Sequence, residues 1–307
     1  MGFEVPRFSG LRGSTGYLEE VRLLPDTRRG QEICAQRRGG GADVKFQPNA
    51  FNALNYVLLL LFLLFFLLVL VSPAAFVKPD GMIRSLLSDE IGYALALSIL
   101  TATCSTLISV VIGLPAAYAL SRFNFPGKKV VEGFLDVPLS LPPVALGASL
   151  LIFFSKNPLG IFINENLVRF VFEVPGIIVA QFVVVSPITM KILKEVFDGI
   201  PVRYEWMARV LGYSHVEAFL YVVLPLAKHG VLAATLLSWA KALGEFGATM
   251  MLAGATRFKT ETLPIALYLK LAEADLEGVA VIIYVLVTTA CIVTIAARKF
   301  LTKVSMT

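Results

Sequence analysis

Glu245 places a carboxyl group inside an otherwise apolar run, Ala240 to Gly254, which reads AKALGEFGATMMLAG. An ionisable side chain at membrane depth is costly and by default functional, unless a partner compensates it. Lys241 stands one helical turn earlier and is the natural partner. A paired, structural role for Glu245 therefore ranks ahead of direct contact with a solute, because a buried charge needs its counter-charge. Thr249, Met250 and Met251 follow on the same segment as candidates for a pathway or gate, or for packing. Other chemistry is sparse. His215 and His229 are few and far apart, and Cys34, Cys104 and Cys291 match no metal-ligand spacing. Cys104 and Cys291 read as small buried thiols within apolar spans. There is no Ser/His/Asp arrangement and no GxxxxGK[ST] phosphate loop, so neither catalysis, a metal nor ATP binding by that route is expected of this chain.

The elements that position Glu245 follow from composition. The 307 residues are 57% apolar and only 16% charged, with a net charge of +5 and a mean hydropathy of +0.76. Soluble domains carry closer to about 25% charge, so this is an integral membrane protein. Continuous apolar runs of spanning length exclude a β-barrel and leave helices. Six spans are expected: 54–71, 91–120, 134–154, 174–192, 230–253 and 279–297. The third contains Pro138, Pro142 and Pro143 and is expected to be bent or broken; a broken helix there would line a path, a kink would only shape packing. In the fifth, Gly244, Gly247 and Ala248 permit close helix approach, and Gly247 and Gly254 permit bending.

Lys and Arg placement sets the orientation. Arg122, Lys128 and Lys129, then Lys191, Lys194, Arg203, Arg209 and Lys228, then Arg298, Lys299 and Lys303 all fall on one side when six spans alternate. That side, with both termini, is expected to be cytoplasmic. Arg257, Lys259 and Lys270 are the weakest fit, offset by Glu261, Glu273, Asp275 and Glu277. Residues 1–50, rich in Gly and Arg, are expected to be a disordered extension or the product of a start site placed too early, with contact to anionic lipid as the alternative. A signal peptide is excluded because the first apolar stretch begins too late.

Between the fourth and fifth spans lies a loop, 199–228, too long and too patterned for a turn. Pro201 suits a first helical turn, and Glu205 complements the helix dipole there. Gly212 can end that helix in a left-handed conformation. Ser214 and Glu217 have capping-box spacing for a second, amphipathic helix, which Leu224-Pro225 would close at the bilayer. Such a helical knob suits docking, or an ordinary interfacial helix.

The spacing of Glu205, Ala208, Gly212 and Pro225 resembles the EAA loop of ABC-importer permeases, departing at Met207, where that family usually has Ala. The segment LGEFGAT followed by KTETLPIALYL, Lys259 to Leu269, is similar to the molybdate-type oxyanion permeases; sulfate and tungstate permeases share less of it. Asp136 with Pro138, Pro142 and Pro143 resembles their DxPLxLPPxVxG pattern. The resemblance covers roughly residues 50–300. It implies an all-α fold of the type I importer kind, with two copies around a central path for molybdate, tungstate or sulfate. It implies two ATP-hydrolysing subunits, carrying ATP and magnesium, docked through Glu205, Ala208, Arg209, Gly212 and Pro225. It implies also a separate extracytoplasmic oxyanion-binding protein, no nucleic acid, and a path or gate near Pro142, Pro143, Glu245, Thr249 and Met250. Two competing readings remain at this point. An ion-coupled secondary transporter would use Glu245, but it predicts an internal symmetry that the sequence lacks. A membrane anchor recruiting a soluble partner leaves the membrane-depth carboxyl and the prolines unexplained.

Overall fold

A computed structural model describes residues 50–76, 85 and 88–305; nearly all of the extension expected at 1–50 lies outside the described residues. The regular structure of the described residues is all helical, with no strand among them. Helix α1, Ala50–Val71, is 22 residues of almost uninterrupted Leu, Phe and Val, with exposed side chains. At about 1.5 Å per residue it is long enough to cross a bilayer.

The remaining helices form one body. Helix α2, Asp89–Arg122, is 34 residues long. Ser88 caps its start, accepting from the Ile91 N–H at 3.4 Å, with Asp89 and Glu90 in the first turn. Its buried stripe is small and hydroxylated: Ala94, Ser98, Thr101, Ala102, Ser105, Ser109, Gly113 and Ala117. Small residues let a neighbour approach closely without relying on a hydrophobic driving force that lipid does not supply. Some of the hydroxyls return to their own helix, as Thr101 does to the Leu97 carbonyl (2.9 Å) and Ser109 to that of Ser105 (2.8 Å), while Ser98 and Ser105 also reach other elements. The third span is two helices, α3 (Lys128–Ser140) and α4 (Pro143–Lys156), bent by 107°. Pro142 and Pro143 offer no N–H and push Leu141 into extended backbone, so no continuous helix can pass. The short α5, Pro158–Asn166, leads into α6, Val174–Asp198, which runs parallel to α2 and packs along its length.

The loop helix α7 is Arg203–Val210. After it, α8 (His215–Ala218), a π turn (Phe219–Val223) and α9 (Leu224–Leu243) continue as one 29-residue helix. The second loop helix therefore does not close at Leu224-Pro225. Pro225, which lacks an N–H, sits just after the widened π turn, and the helix carries straight into the membrane. The fifth span breaks instead at Gly244–Phe246, before α10 (Gly247–Ala253), which Gly254 ends at φ +75°. Helices α11 (Leu263–Ala272) and α12 (Leu276–Ser305) complete the fold.

Candidate functional site

Two places carry the candidate residues: the α7 knob at one end of the body, and the junction of the two broken spans within it. At the knob, Glu205 and Ala208 form the buried face of α7, at 8% and 5% exposure. Glu205 accepts from Arg122 Nε at 2.5 Å and from the Tyr118 hydroxyl at 2.9 Å. Arg122 also donates to the Ile200 carbonyl at 2.9 Å. Glu205 thus fastens α7 to the end of α2, beyond the dipole role its position alone suggests. Gly212, at φ +97°, ends α7 in a Schellman arrangement: its N–H reaches the Arg209 carbonyl (3.0 Å) and that of Tyr213 reaches Ala208 (3.2 Å). The capping box forms as the spacing predicts, with Glu217 N–H on Ser214 Oγ (3.3 Å) and Ser214 N–H on Glu217 Oε2 (2.8 Å).

The opposite face of α7 presents Trp206, Met207, Val210 and Leu211 to the outside, Val210 at 88% exposure. Met207, the departure from the family pattern, lies on this exposed face and disturbs no internal packing. Arg209 and Pro225 are also exposed. The knob is therefore an apolar surface on a charged, internally bolted base. His215 is exposed and His229 half-buried.

Within the body, the breaks of the two spans meet. A Cβ added at Gly147 on α4 would fall 2.6 Å from the Ala248 backbone, and one at Gly247 on α10 would fall 2.9 Å from Val144 Cγ2. Only glycine admits this crossing. Glu245, 2% exposed, does not pair with Lys241. Its Oε1 accepts the Ala248 N–H at 2.8 Å and caps the start of α10, while Lys241 is exposed. The expected pairing fails because α9 ends at Leu243, which takes the two residues out of helical register. Glu245 is thus tied to a backbone amide rather than to the lysine expected as its partner. Pro142 is exposed, Pro143 and Met250 are half-buried, and Thr249 is sealed in the interior.

Of the two thiols expected to be buried, Cys104 is only half-buried and Cys291 lies exposed on the flank of α12. A cleft of about 230 Å³ opens between α3 and α6, lined by Glu132, Asp136, Lys191, Lys194 and Glu195. Its lysines are already matched, Lys191 to Asp136 at 2.9 Å and Lys194 to Asp198 at 2.8 Å, so it offers no spare positive charge to an anion. At the far end, the TETLP segment is folded into the body instead of standing out as a loop. Thr260, Glu261, Thr262 and Leu263 are buried, and Ser98 Oγ accepts the Leu263 N–H at 2.7 Å. Arg257 and Lys270 both reach Glu90 (3.4 and 2.9 Å), and Lys259 reaches Glu173 (2.6 Å). Glu261 is no surface offset to these cations; burial pushes its carboxyl up, the Phe258 N–H opposes that, and the Glu90 carboxylate adds to it.

Known proteins resemble this chain in sequence and in fold. A probable molybdenum ABC transporter permease protein of Haloferax volcanii is 40% identical over 190 residues, 62% of this chain and 68% of its own length. The molybdenum transport system permease protein ModB of Escherichia coli K12 is 29% identical over 72% of this chain and 97% of its own. The sulfate transport system permease protein CysW of a Synechocystis species is 32% identical over 71% of this chain and 82% of its own. In fold, a chain of a bacterial ABC transporter importing alginate matches with a TM-score of 0.66 at 16% identity, over 82% of this chain and 96% of that one. Residues 109–303, holding the knob, both breaks and the TETLP segment, match the family described as binding-protein-dependent transport system inner membrane component, and the chain belongs to that family.

Proposed function

We propose that this chain is the membrane-spanning, non-catalytic subunit of an ATP-driven importer for molybdate or a related tetrahedral oxyanion. One observation carries the reading: α7 turns an apolar face outward while a buried Glu205–Arg122 pair holds its base rigid. A knob that is apolar outside and bolted inside transmits displacement; it fits a cleft on a soluble ATPase subunit, which would hold ATP and magnesium. The knob's end is cytoplasmic in this reading, with Arg203, Arg209 and Lys228 exposed there. The out-of-place Arg257, Lys259 and Lys270 at the other end are each neutralised by carboxylates, which weakens their pull on topology.

Two copies would face each other across the junction of α4 and α10, with a binding protein delivering the anion at the TETLP end. The absence of any unpaired cationic cluster at that junction, among the described residues, suits a conduit that passes an anion without holding it. Sulfate is the second reading, favoured by similarity to the sulfate permease. The docking claim is tested with Val210→Cys, after Cys34, Cys104 and Cys291 are replaced by Ser. Short-linker cross-linking to the co-expressed ATPase is expected at position 210 and absent from a cysteine at Ile292, on the exposed flank of α12. Equal labelling at both positions would contradict the docking surface.

A further inference from the structure

The break in the fifth span raises a question that its glycine alone does not answer. A helix interrupted inside a membrane strands carbonyl oxygens that water cannot reach, and each must find a donor. At Gly244–Phe246 the Ala240 carbonyl takes the Gly244 N–H (3.3 Å), and the Ala242 carbonyl takes that of Glu245 (3.1 Å) in a tightened turn. Ala242 O receives a second donor from a different helix: Gln181 Nε2, on α6, at 3.1 Å.

Gln181 is 1% exposed and every polar valence it directs inward is used. The same Nε2 reaches Thr101 Oγ1 at 3.4 Å, and Oε1 accepts from Ser105 Oγ at 3.1 Å, both on α2. Reversing the carboxamide would set its oxygen against the Ala242 carbonyl, so that carbonyl fixes the orientation. A single side chain therefore ties α2, α6 and α9 together at the level where α9 stops. Two residues on, Glu245 caps α10, and Gly247 of α10 lies against α4. A second link, Thr189 Oγ1 to Ser238 Oγ at 2.7 Å, joins α6 and α9 about two turns away from the break without touching it.

We infer that Gln181 is a positioning residue that fixes where the fifth span breaks, and through Ala242 sets the placement of α10 against α4. It is sealed in the interior and acts on the backbone of the segment proposed as the gate. The transport consequence rests on the reading of that junction as the path, whereas the positioning itself does not.

The two are separated by hydrogen–deuterium exchange of residues 244–248 in the purified full-length chain in nanodiscs, alongside uptake per ATP hydrolysed in the assembled transporter. Gln181→Met keeps the volume and removes the donor; exchange at 244–248 is expected to quicken about tenfold, the scale of one lost hydrogen bond. Thr189→Val removes the neighbouring link and is expected to leave those amides within about twofold of the parent, since the sites share no partner. In the transporter, Gln181→Met lowers anion imported per ATP while Thr189→Val does not. Gln181→Glu covers a Met variant that fails to fold. Its protonated carboxyl donates to Ala242 O and accepts from Ser105, so protection at 244–248 recovers as pH falls. Unchanged exchange in Gln181→Met, equal loosening in Thr189→Val, or a Gln181→Glu variant whose amides at 244–248 stay unprotected at low pH each overturns the inference. A parent transporter that imports no oxyanion contradicts the proposed function instead, and the exchange data still decide the role of Gln181.

Discussion

Glu205 and Arg122 are worth more as a pair than either is alone, because both are nearly sealed from water. Arg122→Ala strands a buried carboxylate and is expected to cost about 3–5 kcal/mol, read as a fall in thermal midpoint in detergent. Adding Glu205→Gln to Arg122→Ala should recover part of that loss; a double variant no more stable than Arg122→Ala counts against a charge-driven penalty. Glu261 gives the opposite sign. Its folded pKa is raised, first by burial, so the folded state holds the proton more tightly than the unfolded chain does. The stabilisation is present below the ordinary carboxylate range and is lost as pH rises through the raised value. Glu261→Gln should therefore melt higher than the parent at pH 7, with the gap closing towards pH 4, and a gap that widens on acidification contradicts the burial account. The sequence made Glu205 legible through its spacing to Gly212 and Pro225. Its partner Arg122 lies 83 residues away and was visible only as one charge among several in a loop. Glu261 looked like an acidic surface residue because nothing local announces that a loop will fold inward.

Helices break here for two different reasons, and only one is written plainly. The Pro142-Pro143 pair forbids a helix by covalent structure, so the broken third span was readable in advance. The break at Gly244–Phe246 depends on a glycine, a carboxylate that recaps the chain and a glutamine on another helix; the segment reads locally as one span. The end of α7 was legible because Gly212 and the Ser214/Glu217 box are short-range devices. The continuation through Pro225 was not, since a π turn has no sequence signature here. Two glycine substitutions separate conformational from steric demands. Gly212→Ala meets open space but a left-handed backbone, so it should cost about 1–2 kcal/mol and leave the body folded. Gly147→Val drives a side chain into the Ala248 backbone and should separate α4 from α10, abolishing uptake even where the protein is still inserted. Full uptake in a membrane-inserted Gly147→Val variant would remove the α4–α10 crossing from the mechanism.

At the scale of the molecule, the fold class and the six membrane passes follow from hydropathy, because lipid leaves a helix no other way to satisfy its backbone. What hydropathy does not contain is the division of labour: a bolted knob at one end, two broken spans meeting in the middle, and at the other a buried segment flanked by carboxylate-matched cations. That division needs long-range packing, which becomes visible only when Gly147 is set against Ala248 and Arg122 against Glu205. Under the proposed function, the chain would be moved from outside, driven at the knob and opened at the breaks. The most direct test is radiolabelled molybdate accumulation in proteoliposomes containing this chain, its ATPase partner and its binding protein. Accumulation is predicted to require both ATP and the binding protein and to survive a protonophore. Accumulation that proceeds without ATP and collapses with the proton gradient would contradict the account and return Glu245 to the role of an ion-coupling group.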